Sequence, residues 1–326
     1  MNILFLGTGS FATPALTKLL AGRHTVSAVI TQPDRKSGRG LKLSQGIIKK
    51  LALEHSLPLL QLDDINTTEG MRFITSLKCD LAVTAAFGQI ISERVLSLPK
   101  YGFINIHASL LPKYRGAAPV VHTILNQEKV TGVTIFHIVR KLDAGPILAV
   151  RMMEIPDRAT AGSLEAALSE LGAELLTTVI DNIESGRAVE IPQDNCSASY
   201  APKIDRGICN ILWNNPAKKI DAQVRSLNPR PLARTSLKIG EKTISLNIIE
   251  TDIPNAKCGM ARPVSACSNG GNVECGTILS TANGVITISC GSGAIDVKML
   301  QPENKRILTA QEFINGYRVN MGDRFC

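Results

Sequence analysis

Short apolar runs alternate with amphipathic stretches through the first 190 residues. Residues 2–7, Asn-Ile-Leu-Phe-Leu-Gly, are the first run, and they end in Gly7-Thr8-Gly9. Phe11, Ala15, Leu16, Leu19 and Leu20 then recur at helical spacing, so 11–21 reads as a helix. Residues 25–31 read as a second strand, 32–43 as a Pro/Gly/basic loop and 44–55 as another helix. Further strands are expected at 81–84, 103–106, 132–138 and 147–155, and one long helix at 160–185. Buried strands interleaved with helices predict an α/β fold, a doubly wound, mostly parallel and Rossmann-like sheet.

The texture changes near residue 190. Residues 191–207 hold Pro192, Pro202 and Gly207 with few apolar side chains, which reads as a linker between a domain at 1–190 and a second at 208–326. Beyond it come a helix at 216–227 and β-type runs at 235–239, 243–249, 276–281, 284–289 and 294–299, with a short helix at 309–316. Such spacing suits a smaller OB-like β-barrel, and a sandwich has the same look. The Gly/Asn/Ser/Pro-rich stretch 251–273 is expected to be one long loop.

A length of 326 residues fits two domains, and 44% apolar with 20% charged residues is an ordinary globular balance. No apolar run approaches the roughly 18–20 residues of a membrane span. The opening residues read as a strand rather than a secretory leader, so a cytoplasmic location is expected. The eight cysteines show no CxxC spacing, and no metal site is indicated. The net charge of +8 points to an anionic partner. Residues 205–326 carry 15 Lys and Arg against 10 Asp and Glu, so the second domain is the more basic per residue.

Gly7-Thr8-Gly9-Ser10-Phe11-Ala12 fits GxGxxA, which is either a dinucleotide fingerprint or a plain tight βα turn. Asp34, the acid after the second strand, lies in a basic stretch that does not read as a ribose site. Asn105 and His107 sit two apart at the end of an apolar strand and share one face of the sheet. Parallel sheets bind ligands at that carboxyl edge. Asp143 follows in the turn Lys141-Leu142-Asp143-Ala144-Gly145-Pro146. Singly, His107 reads as a core histidine and Asp143 as a turn acid. Together, an amide, an imidazole and a carboxylate can run acyl transfer: the amide donates to a developing oxyanion, the imidazole shuttles a proton and the carboxylate orients it.

The segment Asn105-Ile106-His107-Ala108-Ser109-Leu110-Leu111-Pro112 with the later Leu142-Asp143-Ala144-Gly145 resembles the folate-dependent formyltransferases, which move a formyl group from 10-formyltetrahydrofolate to an amine. That resemblance implies Asn105, His107 and Asp143 as catalytic residues. It also implies a folate site on Phe87, Gly88, Gln89 and Ile90, on Ser109, Leu110, Leu111 and Pro112, and on Arg140, Lys141 and Leu142. Thr31-Gln32-Pro33-Asp34-Arg35, Gly38-Arg39-Gly40, Tyr114-Arg115-Gly116-Ala117-Ala118-Pro119, Ser199-Tyr200-Ala201-Pro202-Lys203-Ile204, Trp213 and Asn228-Pro229-Arg230-Pro231 resemble the branch acting on methionyl-initiator tRNA. The likeness is dense from residue 1 to about 235. It implies tRNA contacts from Arg35, Lys36, Arg39, Lys42, Lys203, Lys218, Lys219, Arg225 and Arg230, with a monomer and no membrane partner. His137 and the following Asp143-Ala144-Gly145-Pro146-Ile147 look more like the purine-pathway branch that formylates glycinamide ribonucleotide. An enzyme of that branch would end near residue 200, without a basic second domain. A nicotinamide oxidoreductase and a catalytically silent RNA-binding protein remain as readings of other classes.

Overall fold

The structure is a computed structural model and describes residues 1–37, 42–254 and 273–326. The chain divides into two compact units. One comprises Met1–Val120, Lys129–Ile155 and Ser163–Lys203, the other Val121–Glu128, Pro156–Gly162 and Ile204–Cys326.

In chain order the first half contains β1 (Asn2–Gly7), α1 (Thr13–Leu20), β2 (Thr25–Thr31), β3 (Arg35–Ser37), β4 (Lys42–Ser44), α2 (Ile47–Glu54), β5 (Leu59–Gln61), α3 (Thr68–Leu77), β6 (Leu81–Ala85), α4 (Glu93–Leu96), β7 (Phe103–His107), α5 (Pro119–Leu125), β8 (Val130–His137), β9 (Ile147–Glu154) and α6 (Ala161–Glu184). The main sheet runs β5-β2-β1-β6-β7-β8-β9. Pairings from β5 to β7 are parallel, and β8 and β9 extend the sheet antiparallel. Strand order reverses between β1 and β6, and such a switch opens a crevice at the strands' carboxyl ends. Continuous apolar runs form the central strands β1 and β6 because both sheet faces are covered there; Ile3, Leu4, Phe5 and Leu6 of β1 are fully buried.

Two sequence expectations change in this unit. The 32–43 loop contains a hairpin, in which Arg35, Lys36 and Ser37 of β3 pair with Ser44, Leu43 and Lys42 of β4; Arg39 lies outside the described residues. The expected linker at 191–207 is, up to Lys203, part of the first unit. Arg115 N–H donates to the Ser199 carbonyl at 2.8 Å, and Ala201 N–H to the Arg115 carbonyl at 2.7 Å, so this stretch is stitched to the 108–119 loop.

The second unit holds α7 (Ala217–Ser226), β10 (Ala233–Ile239), β11 (Lys242–Asp252), β12 (Ile278–Ser280), β13 (Ile286–Ser289), β14 (Ala294–Pro302), β15 (Leu308–Thr309), α8 (Ala310–Tyr317) and β16 (Arg324–Phe325). Its antiparallel sheet runs β12-β13-β14-β11-β10-β16. The two ends meet where Ile278 N–H donates to the Asp323 carbonyl at 2.9 Å and Thr277 bridges to Arg324, so the sheet curls into a nearly closed barrel. Leu237, Ile248, Ile288, Val297, Leu300, Phe313 and Phe325 fill it. Strand β11 runs through Thr251 and Asp252, where the sequence predicts a loop, and 255–272 of that stretch lie outside the described residues. Asp221, 4% exposed, accepts from Arg158 Nη1 at 3.1 Å, Arg225 Nε at 2.8 Å and Thr251 Oγ1 at 2.8 Å, and Arg225 Nη1 donates to the Ala159 carbonyl at 3.0 Å. Among the described residues no helix is long and apolar enough to cross a membrane.

Candidate active site

Strand β7 delivers Asn105 and His107 at its carboxyl end. Asn105 stands opposite Thr84 of β6, whose Oγ1 donates to Asn105 Oδ1 at 2.7 Å. With its oxygen engaged, the amide turns its NH2 away, and that donor has no protein partner among the described residues. His107 is buried, and its Nε2 meets the Tyr114 carbonyl at 2.9 Å. A carbonyl only accepts, so Nε2 carries the proton there and Nδ1 is the ring nitrogen left for chemistry. Nδ1 lies 3.9 Å from Asp143 Oδ2.

Asp143 arrives from the turn between β8 and β9 in a left-handed conformation, φ +46°. Its Oδ2 accepts the Gly116 N–H at 2.7 Å, and its carbonyl accepts from Gln193 Nε2 at 2.9 Å. Both neighbouring glycines are required by close approach. A Cβ on Gly116, φ +121°, would stand 2.7 Å from the Ala201 carbonyl oxygen, and one on Gly145 would stand 1.7 Å from that of His137. The 108–119 loop is held internally: Ser109 Oγ donates to the Lys113 carbonyl at 2.7 Å, and Thr134 Oγ1 donates to the Ser109 carbonyl at 2.7 Å.

The sequence-derived triad is therefore assembled at one sheet edge, whereas the expected folate contacts divide. Ser109 and Leu111 are buried, with the Ser109 hydroxyl spent inside its loop and Leu111 packed on Phe136 and Ile147. Phe87 belongs to the core beneath β6, and Gln89 is tied to the Leu62 carbonyl at 2.7 Å and the Ile65 N–H at 2.7 Å. These four side chains are scaffold, because their packing and bonding capacity is already used. Ala86, Gly88 and Ile90 are exposed, with Ile90 at 86%, so this segment offers main chain and one apolar side chain. Arg140, Lys141 and Leu142 are exposed too, while Leu110 and Pro112 are half-buried.

Of the expected tRNA cations, Arg35, Lys203, Lys218, Lys219 and Arg230 are exposed. Arg225 is not a free surface cation, since Asp221 and the Ala159 carbonyl hold it. His137 ends β8 and pairs with Glu190 at 3.4 Å. His24, Asp181 and Glu184 are spaced as a metal could use them, but Arg23 already binds Asp181 at 2.8 Å and Glu184 at 2.6 Å. The sequence alone assigns no role to Arg115, Gln193 or Thr84. The Tyr114-Arg115-Gly116 motif is the available signal for the first, and Pro192-Gln193 is hidden in the apparent linker.

A formyl transferase family model matches residues 1–180, and a formyl transferase C-terminal domain model matches residues 203–318. The chain is 40% identical over 326 residues to the methionyl-tRNA formyltransferase of Methylobacillus flagellatus, covering 100% of this chain and 99% of that one. It is 39% identical over 323 residues to that of Bacillus velezensis, covering 99% and 96%. A sugar 3N-formyl transferase solved in the presence of dTDP and 5-N-formyl-THF superposes with a TM-score of 0.64 at 20% identity, covering 94% of this chain and 99% of that one; at that identity the likeness is one of fold.

Proposed function

The chain belongs to the formyltransferase family in both of its matched regions, and we propose that it transfers the formyl group of 10-formyltetrahydrofolate to the α-amino group of methionine esterified to initiator tRNA. It is a one-carbon transferase of translation initiation, and the formyl donor is a folate co-substrate. One observation carries the chemistry: an amide with a free NH2 and an imidazole share one face at the carboxyl end of β7, and a carboxylate faces the imidazole Nδ1. The full-length likeness to methionyl-tRNA formyltransferases favours the tRNA acceptor over a purine precursor.

The α-amino group, with a free value of about 7.7–8.0, holds a useful neutral fraction near pH 7. Its nitrogen attacks the formyl carbon. The new C–N bond forms, the bond to folate N10 breaks, and the proton lost by the amine balances the one gained by N10. In our reading Asn105 Nδ2 donates to the oxyanion of the tetrahedral intermediate, and the His107 Nδ1 edge with Asp143 handles the proton. The 3.9 Å between Nδ1 and Oδ2 is beyond direct hydrogen bonding and suits a bridging water or the amine itself. The pterin would lie on the main chain of 86–90, with Ile90 and Leu142 as apolar flanks, beside the half-buried Leu110 and Pro112. Arg140 and Lys141 suit the acidic tail of the folate.

On the tRNA side the exposed cations Arg35, Lys203, Lys218, Lys219 and Arg230 would meet phosphates, and the sequence resemblance adds Lys36, Arg39 and Lys42. We take the protein to act as a monomer in the cytoplasm, where charged tRNA is made. The test is formyl transfer to methionyl-initiator tRNA, with glycinamide ribonucleotide as a parallel acceptor, for wild type and His107→Ala. Transfer to the tRNA alone, lost in the variant, is expected. Transfer to glycinamide ribonucleotide alone would overturn the acceptor assignment.

A further inference from the structure

Arg115 is fully buried, yet among the described residues its guanidinium meets no carboxylate. It binds two amide oxygens instead. Nε and Nη2 donate to Gln193 Oε1 at 3.1 and 2.7 Å, and Nη1 donates to Asn195 Oδ1 at 3.0 Å. The other end of the Gln193 amide points at the catalytic turn, where Nε2 donates to the carbonyls of Asp143 at 2.9 Å and Gly145 at 2.7 Å. These partners fix which atom of the Gln193 amide is which, because a guanidinium can only donate and a carbonyl can only accept. Asp143 sits in the left-handed region, which a non-glycine residue keeps only when its surroundings hold it there.

The backbone beside Arg115 touches the same centre. Tyr114 gives its carbonyl to His107 Nε2, and Gly116 gives its N–H to Asp143 Oδ2. Three consecutive residues thus hold the histidine, the glutamine and the aspartate. A glutamate at 193 would satisfy Arg115 better, as a true ion pair, but would turn an oxygen toward two carbonyls and place a second anion beside Asp143. A neutral amide is the side chain that accepts on one side and donates on the other.

We propose that Gln193, braced by Arg115, is a positioning residue for formyl transfer that acts through Asp143 by fixing the 141–146 turn. This rests on the catalytic reading of Asp143 given above. The discriminating variant is Gln193→Glu, which keeps the acceptor for Arg115 and removes both donors to the turn. It is measured in the full-length protein, alone and combined with Asp143→Asn. The single variant is expected to stay folded and to keep KM for both substrates, while kcat falls by about ten- to a hundredfold, the range that a misplacement of about 1 Å can cost. In the Asp143→Asn background it is expected to cost no more than about twofold, since its effect is already lost there. Gln193→Met, which has similar length and no amide, is read in the same way should the glutamate variant not fold. A kcat for the Gln193 variants within about twofold of wild type, or an equal loss with and without Asp143, would overturn the proposal. Full activity of Asp143→Asn alone would instead sink the catalytic reading of Asp143, so the two failures are distinguishable.

Discussion

Nδ1 of His107 and Oδ2 of Asp143 stand 3.9 Å apart, with each partner's other bonds already assigned. Nε2 is held by the Tyr114 carbonyl, and Oδ2 by the Gly116 N–H. The pair is therefore aimed but not closed, and a reacting group can enter between its members. Replacing His107 by Ala is expected to lower kcat by about 10²–10⁴, the usual contribution of general acid–base catalysis, with folate binding retained. Single-turnover formylation and a folate-binding titration on the same variant check both halves of the statement.

Thr84 offers a milder test of the same edge. Thr84→Val keeps the shape of the side chain and removes the hydroxyl that orients the Asn105 amide. Loss of one hydrogen bond of about 1 kcal/mol should cost about fivefold in kcat. Thr84→Ser should retain activity. Asn105→Ala removes the donor itself and should cost about 10²–10³. Equal rates for the valine and serine variants would remove Thr84 from the account.

The cations of the second unit should separate under salt. For Lys218→Ala, Lys219→Ala or Arg230→Ala, the slope of log K against log [salt] for tRNA binding should flatten by about 0.7–0.9 for each phosphate no longer neutralised. Arg225→Ala should leave that slope alone. It should instead lower stability by about 1.5–3 kcal/mol, because it strips a charged hydrogen bond from buried Asp221. Denaturant unfolding beside filter binding at several salt concentrations distinguishes the two outcomes.

Asp34 accepts from Lys49 Nζ at 2.6 Å and from Gln61 Nε2 at 3.0 Å, and Lys49 followed by Gln61 holds its carboxyl below the usual aspartate range. A depressed folded-state value means that the ionised form stabilises the fold. That contribution is complete above the unfolded value of about 3.9 and is lost as pH falls through the lower folded value. Thermal unfolding of wild type and Asp34→Asn between about pH 7 and pH 2 should show the wild type losing its advantage in acid. A constant gap across that range would rule out the linkage.

Burial pushes the Cys290 thiol up to about 12, with nearby Cys275 adding to the effect. The folded chain keeps this proton where the unfolded chain, with an ordinary thiol near 8.5, releases it. Stability should therefore decline as pH rises from about 8.5 towards 12. Cys290 should also resist alkylation at about pH 8 until the chain unfolds, while exposed Cys196 and Cys326 react at once. Mass spectrometry of iodoacetamide-treated protein, with and without denaturant, reads this directly.

The centre of the first unit's sheet is legible in the sequence because β1, β6 and β7 are buried on both faces and so spell apolar runs. Asn105 and His107 stand out as polar residues ending such a run. The hairpin within 35–44 is not legible, since Gly38, Arg39 and Gly40 interrupt it and its only apolar residues, Leu41 and Leu43, make too short an alternation to mark a strand. Gln193 and Asn195 read as linker because their partner, Arg115, is far away in sequence and local pattern carries no trace of it. Charge alone groups Arg225 with Lys218 and Lys219. Its spacing of four from Asp221 is the sign that it pairs along α7 rather than facing an RNA.

Arg158 and Ala159 precede α6 in the chain, yet they complete the cage around Asp221 and Arg225 in the barrel unit. The barrel is therefore not a cassette that begins at residue 204. A chimera joined there, taking its C-terminal part from a relative, would leave a buried aspartate short of a cation and an arginine short of an acceptor. Recombination has to carry a discontinuous set of residues, so the two halves of this gene are held to a shared inheritance by the detour at Pro156–Gly162.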